Sequence, residues 1–214
     1  MKELSHRALN FLKKTERKNE LCIDRKLIEK HLSVYPVKNP SEILRFNENF
    51  SGVTIEGVTM SIFTSKQIKE HKGVNTYYWD DEVLFAIGDD IYLSESGKVA
   101  FRDCGCESYD FFFYSDSFEV LIEHQAFWEE FRYYKYLPAL AYEITCDIHM
   151  ISEYFSDYEE IEEYSDSYHY LWKNSLNLVH ARLFPEGWSI YIDSLSENAR
   201  HELISSLKSE NLIP

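Results

Sequence analysis

Glycine and proline are scarce in this chain, seven and five among 214 residues, which excludes collagen-like repeats and the composition of a disordered linker. Cysteine is sparse too. Cys22, Cys104, Cys106 and Cys146 are too few for the disulfide framework of a small secreted domain, so reduced thiols and a cytosolic location are expected. No stretch approaches the roughly 18 to 20 consecutive apolar residues of a membrane span, and Met1-Lys2-Glu3-Leu4-Ser5-His6 lacks the apolar core of a signal peptide. The sequence also holds no phosphate-cradling glycine loop, no Gly-x-Ser-x-Gly elbow, no His-Glu-x-x-His helix and no calcium-loop spacing of acids. These absences point away from an enzyme, and no cofactor or metal is implied.

Basic residues are outnumbered, 22 Lys and Arg against 37 Asp and Glu, for a net charge of -15. The imbalance is uneven. The first fifty residues carry eleven bases and seven acids, whereas the remainder holds eleven bases and thirty acids. Such a field repels phosphates and attracts basic proteins, so a protein partner with a basic face is expected and nucleic acid is not. The bases Lys13, Lys14, Arg17 and Lys18 are better read as balancing the chain's own acids.

What the sequence does have is apolar mass: 44% of it is hydrophobic and 16% aromatic, enough to bury a core. The length suits one generous domain, or one with an appendage. Leu4, Ala8, Phe11 and Leu12 recur at helical spacing, followed by Leu27, Ile28, His31 and Leu32 in a helix that stops near Tyr35-Pro36. Ser41 is read as the N-cap of a third helix carrying Ile43, Phe46 and Phe50 and ending at Ser51-Gly52. From Val53 the pattern turns to short β-branched and aromatic segments, 53–63, 83–87, 91–93, 98–102 and 109–114, as in an antiparallel meander. Asp116-Ser117-Phe118-Glu119 has the form of a capping box and opens a helix with Phe118, Leu121, Ile122, Gln125, Trp128 and Phe131 inward. Beyond Arg132 the composition shifts. Residues 178–184 and 188–193, joined through Pro185-Glu186-Gly187, predict a hairpin, and Ser194-Leu195-Ser196-Glu197 predicts the cap of a last helix bearing Ala199, Leu203, Ile204 and Leu207.

The expected fold class is therefore α+β, with N-terminal helices, an antiparallel meander and a closing helix over residues 1–130, and an acidic, tyrosine-rich α/β extension over residues 131–214. Three phrases carry a resemblance. Glu42-Ile43-Leu44-Arg45-Phe46 runs into Phe50-Ser51-Gly52-Val53. Val83-Leu84-Phe85-Ala86-Ile87-Gly88-Asp89-Asp90 is followed by Ile91-Tyr92-Leu93 and Ser96-Gly97-Lys98-Val99. Ser115-Asp116-Ser117-Phe118-Glu119-Val120-Leu121-Ile122 comes last. In order and spacing, over roughly residues 25 to 130, the chain resembles the SUKH superfamily, also called the SMI1/KNR4-like group. It departs from that pattern in lacking the glycine-rich run after the glycine-aspartate pair, where Asp90-Ile91 stands, and in having Tyr35-Pro36 in place of a leucine-proline signature. The resemblance implies a binding scaffold. Many members are immunity proteins that neutralise a cognate bacterial toxin, and others are intracellular regulators without a toxin partner. A small enzyme of unknown chemistry is the third alternative.

The densest local feature is the segment 153–166, in which acids and tyrosines interleave. Tyr154, Asp157, Tyr158, Glu159, Glu160, Glu162, Glu163, Tyr164 and Asp166 are the candidate partner-binding residues: carboxylates steer the encounter, and tyrosines supply contact area at low entropic cost. If the toxin were a nuclease, these carboxylates could stand in for phosphates. A solvated acidic face that only aids solubility is the alternative. Cys104-Gly105-Cys106 with His124 or His149 could be imagined as a metal set, but one intervening residue is not the usual knuckle spacing. Phe111-Phe112-Phe113-Tyr114 reads as a buried strand covered on both faces, and Trp79, Trp128, Trp172 and Trp188 as core.

Overall fold

In the computed structural model, which describes residues 3–70, 72–102 and 110–214, the chain divides into two compact units, Met1–Gln125 and Ala126–Pro214. The fold class is α+β. No helix among the described residues is long and apolar enough to cross a membrane.

The first unit opens with three helices, α1 (His6–Lys14), α2 (Arg25–Leu32) and α3 (Ser41–Asn49). Ser5 caps α1 by accepting the Ala8 N–H, and Asp24 caps α2 by accepting that of Lys26. The α3 start differs from the sequence expectation. Pro40 stands at the cap without a side-chain bond and Ser41 is already helical, its N–H met by Asn39 Oδ1 at 3.2 Å. Ile28, Ile43, Phe46 and Phe63 are fully or almost fully buried.

The segment 53–63 is not one strand. Glu56 and Gly57 both take positive φ, 50° and 84°, and turn the chain between β1 (Thr54–Ile55) and β2 (Val58–Thr59), paired Ile55 to Val58. A short helix α4 (Ser65–Lys69) follows, closed by a capping box in which Gln67 N–H reaches Thr64 Oγ1 at 3.1 Å and Thr64 N–H reaches Gln67 Oε1 at 2.8 Å. Then comes a five-stranded antiparallel meander in sequential order, β3 (Thr76–Trp79), β4 (Glu82–Gly88), β5 (Ile91–Ser94), β6 (Val99–Arg102) and β7 (Phe111–Ser115). Both of its faces carry apolar residues. Leu84, Tyr92, Ala100 and Phe111 cluster together, while Phe85 lies on the opposite face with its partner Leu93. This explains the unbroken apolar run in β4.

Among the described residues β7 lies at the edge of the sheet order; Phe111 is buried, while Phe112, Phe113 and Tyr114 are half-buried. Helix α5 (Phe118–Phe131) begins in the first unit, and its last turns, from Ala126, belong to the second. Its cap is Ser117, whose Oγ accepts the Val120 N–H at 3.4 Å, so Asp116 is not the cap of the predicted box. Glu119 is taken instead by Arg45 of α3, at 2.6 and 3.2 Å, and Arg45 also binds Glu42. Two charge-assisted bonds outweigh a helix-end bond for a carboxylate this buried.

The second unit is built on its own antiparallel sheet, where the length alone suggested an appendage. Its strands are β8 (Leu140–Glu143), β9 (Glu159–Glu160), β10 (His169–Lys173), β11 (Asn177–Phe184) and β12 (Gly187–Ser194), in spatial order β8-β12-β11-β10-β9. The β11–β12 hairpin is the predicted one, with Phe184 opposite Gly187 across the two-residue turn Pro185-Glu186. Helices α6 (Ile148–Tyr154) and α7 (Glu197–Ser209) contribute to one core: Ile151, Leu203, Ile204 and Leu207 meet Trp172, Val179, Ala181, Ile190 and Ile192. The α7 cap is Ser196, which accepts the Ala199 N–H. Among the four tryptophans only Trp172 is fully enclosed, and Trp79, Trp128 and Trp188 are half-buried.

Candidate functional site

Two places in the second unit gather chemistry. The first is the acidic segment. Asp157, Glu159, Glu160 and Glu162 are exposed there, and Glu163 is half-buried. β9 holds two of these acids at the outer edge of the sheet, where among the described residues it pairs only with β10, Glu159 opposite Lys173 and Glu160 opposite Trp172. The acids are not wholly without a base, since Lys173 Nζ binds Glu159. The cross-strand pairing that brings them together is invisible in the linear spacing.

The tyrosines turn out differently from the acids. Tyr164 is a correction: it is 0% exposed and packs with Phe127, Ile161, Leu171 and Leu178 in a second core on the other sheet face. Its backbone folds inward because Ile161 N–H pairs with Leu171 O at 2.9 Å and Tyr164 N–H with Ile161 O at 3.0 Å. Asp166 is likewise inside, its side chain 4% exposed, accepting from Tyr168 N–H at 2.9 Å and lying 3.2 Å from His169 Nδ1. Tyr164 has no surface left for a partner, and the Asp166 carboxylate is engaged within the fold. Tyr158 is half-buried against Phe155, and burial pushes its phenol up. Tyr154, also half-buried, donates to Ser206 Oγ at 2.7 Å.

The second place was not anticipated from the sequence. Because side chains alternate along a strand, β11 and β12 present His180, Arg182, Tyr191 and Asp193 on the face opposite the aliphatic core, with His180 directly across from Tyr191 and Leu178 across from Asp193. Trp128, Lys135 and the segment 137–139 close over them to leave a cleft of about 400 Å³. Arg200 holds that segment in place with a 2.6 Å bond to Pro138 O. Lys135 Nζ lies 4.0 Å from the centre of the Trp128 ring, a cation–π contact.

Electrostatics in the cleft are unusual. Burial pushes the Asp193 carboxyl up to about 6, opposed by Lys135 and Arg200. Burial also drives the His180 imidazole well below its ordinary value, with His169, Arg182 and Lys135 adding to the effect. His180 is therefore neutral at pH 7. Its Nε2 lies 3.5 Å from the Tyr164 hydroxyl, which accepts from Trp128 Nε1 at 3.1 Å. The signal that could have found this site is the alternation of polar residues at 180, 182, 191 and 193 within two otherwise aliphatic strands.

The cysteine pair Cys104 and Cys106 lies outside the described residues. His149 is exposed on α6, and His124 is buried on α5 against Tyr114, ring centres 5.9 Å apart. Among the described residues no group of three or more His, Cys, Asp or Glu is placed to hold a metal. Comparisons with family models, with curated proteins and with solved structures gave no match.

Proposed function

We propose that this chain is a non-catalytic, protein-binding neutraliser of the immunity type, which captures a cognate toxin bearing a basic face through the acidic edge of the second sheet. The observation that carries the reading is the exposure of Asp157, Glu159, Glu160 and Glu162 along one short edge segment. Carboxylates set this close raise the local negative potential, which speeds encounter with a positive surface and disfavours wrong partners. The SUKH-like phrases over residues 25 to 130 also support it. The contact set is narrower than the sequence suggested: the four exposed acids, Glu163 at the margin, and the half-buried Tyr154 and Tyr158.

The test is co-expression with the toxin domain encoded by the neighbouring reading frame. Growth should be rescued, the two proteins should co-elute, and their association should slow as salt is raised. Glu159→Gln, Glu160→Gln and Glu162→Gln together should cut the association rate about tenfold at low salt and flatten its salt dependence. Failure to rescue, with no complex at any salt, would overturn the reading. A complex with unchanged association kinetics in the triple variant would move the interface elsewhere.

A further inference from the structure

The cleft under Trp128 holds a feature that the protein-binding reading does not use. Asp193 is 3% exposed yet lines the cleft, and among the described residues none donates a hydrogen bond to its carboxyl or pairs with it as an ion. Buried carboxylates are normally met by donors, and the Asp193 oxygens, which are not sealed off without a partner, open instead to the cleft. Lys135 and Arg200 act on it only at longer range. A group left in this condition facing a cavity is a place for a ligand's donor. On the same walls stand Lys135, whose side chain is exposed at the rim, and Arg182. They form a cationic spot in a chain of net charge -15. Leu137, Pro138 and Tyr191 line the same cleft and offer apolar surface.

From this geometry we infer that the cleft binds a small amphoteric molecule, its ammonium or N–H donor end on Asp193 and its carboxylate or phosphate end against Lys135 and Arg182, with a short apolar body between. A cation alone would meet Lys135 and Arg182 unfavourably, and an anion alone would leave Asp193 unpaired. Only a ligand with both ends satisfies every wall. The volume, about 400 Å³, is in the range of small-molecule sites.

Isothermal titration calorimetry on the full chain tests this. The probes are glycine, β-alanine, γ-aminobutyrate and ε-aminocaproate, which widen the gap between the charged ends, and phosphoethanolamine, which replaces carboxylate by phosphate. Acetate and n-butylamine serve as single-ended controls. One of the zwitterions should bind at least about tenfold more tightly than either control, and the stronger of the carboxylate and phosphate series identifies the anion. Asp193→Asn should weaken that probe about tenfold or more while leaving acetate unchanged, and Lys135→Gln should weaken both. Lys135 is exposed, so its variant does not threaten folding, and near-ultraviolet circular dichroism checks Asp193→Asn. Equal binding of zwitterion and acetate, no binding of any probe, or indifference to both variants would overturn the inference. The toxin co-expression result is independent of all of these.

Discussion

Burial holds the Asp193 carboxyl near 6 and the His180 imidazole far below its ordinary range, so the two residues respond to acid in opposite senses. For Asp193 the folded value lies above the unfolded value of 3.8. The folded state therefore takes up its proton first, and stability rises by up to about 3 kcal/mol as pH falls from 7 through 6 towards 4. For His180 the unfolded chain takes up the proton first. Stability falls below pH 6.5 by about 1.4 kcal/mol per unit. In the native protein these two slopes oppose one another below pH 6. Asp193→Asn should gain about 1 to 2 kcal/mol at pH 7 and lose stability more steeply in acid, whereas His180→Phe should become more stable on acidification. Urea midpoints at pH 7 and pH 5 check both. Gly52 is a different kind of constraint. Its φ is 85°, and a Cβ would sit 2.2 Å from Lys18 O, where Lys18 N–H pairs with Gly52 O at 2.8 Å. Gly52→Ala should cost at least about 2 kcal/mol, read from the same denaturation curves.

Among the elements, the β3–β4 hairpin turns through Asp80 and Asp81, both in the left-handed region with φ of 49° and 60°. That turn suits Asn-Gly better than Asp-Asp. Asp81→Gly should raise stability by about 0.5 to 1 kcal/mol even though it removes the exposed Tyr78 hydroxyl bond, a change visible as a higher melting temperature. Leu207→Ala, by contrast, would open the core beneath α7 and cost about 2 to 5 kcal/mol. The same elements show what sequence reasoning could reach. Helices α1, α2, α5 and α7 and the β11–β12 hairpin were legible because each has a full apolar period or a turn signal. The β3 strand was not, since the four residues Thr76–Trp79, followed by Asp80-Asp81, carry neither alternation nor a favoured turn. Helix α4 was missed because a single turn offers only Ile68 as an apolar marker, although Thr64 and Gln67 stand at capping-box spacing. The cleft was illegible for a deeper reason: its residues converge only through strand register, which places 180 beside 191 and 178 beside 193.

For the whole molecule, charge and fold are separable. The exposed acids of the β9 edge do little for stability, because a surface ion pair such as Glu159 with Lys173 contributes about 0 to 1 kcal/mol. The triple glutamine variant should therefore unfold within about 0.5 kcal/mol of the native chain, so any loss of partner capture would report the interface and not the fold. The acidic segment was legible as a feature, but linear spacing could not tell which of its members face outward, and packing against Phe127 and Leu171 removed Tyr164 from the set. That same edge has a consequence for self-association. Among the described residues β9 has no strand partner on its outer side, and an open edge of this kind invites pairing with a second copy unless like charges keep copies apart. The carboxylates at 157, 159, 160 and 162 provide that repulsion, so the acids proposed to welcome a basic toxin would also keep the protein from adding to its own sheet, and neutralising them should lower the concentration at which it aggregates.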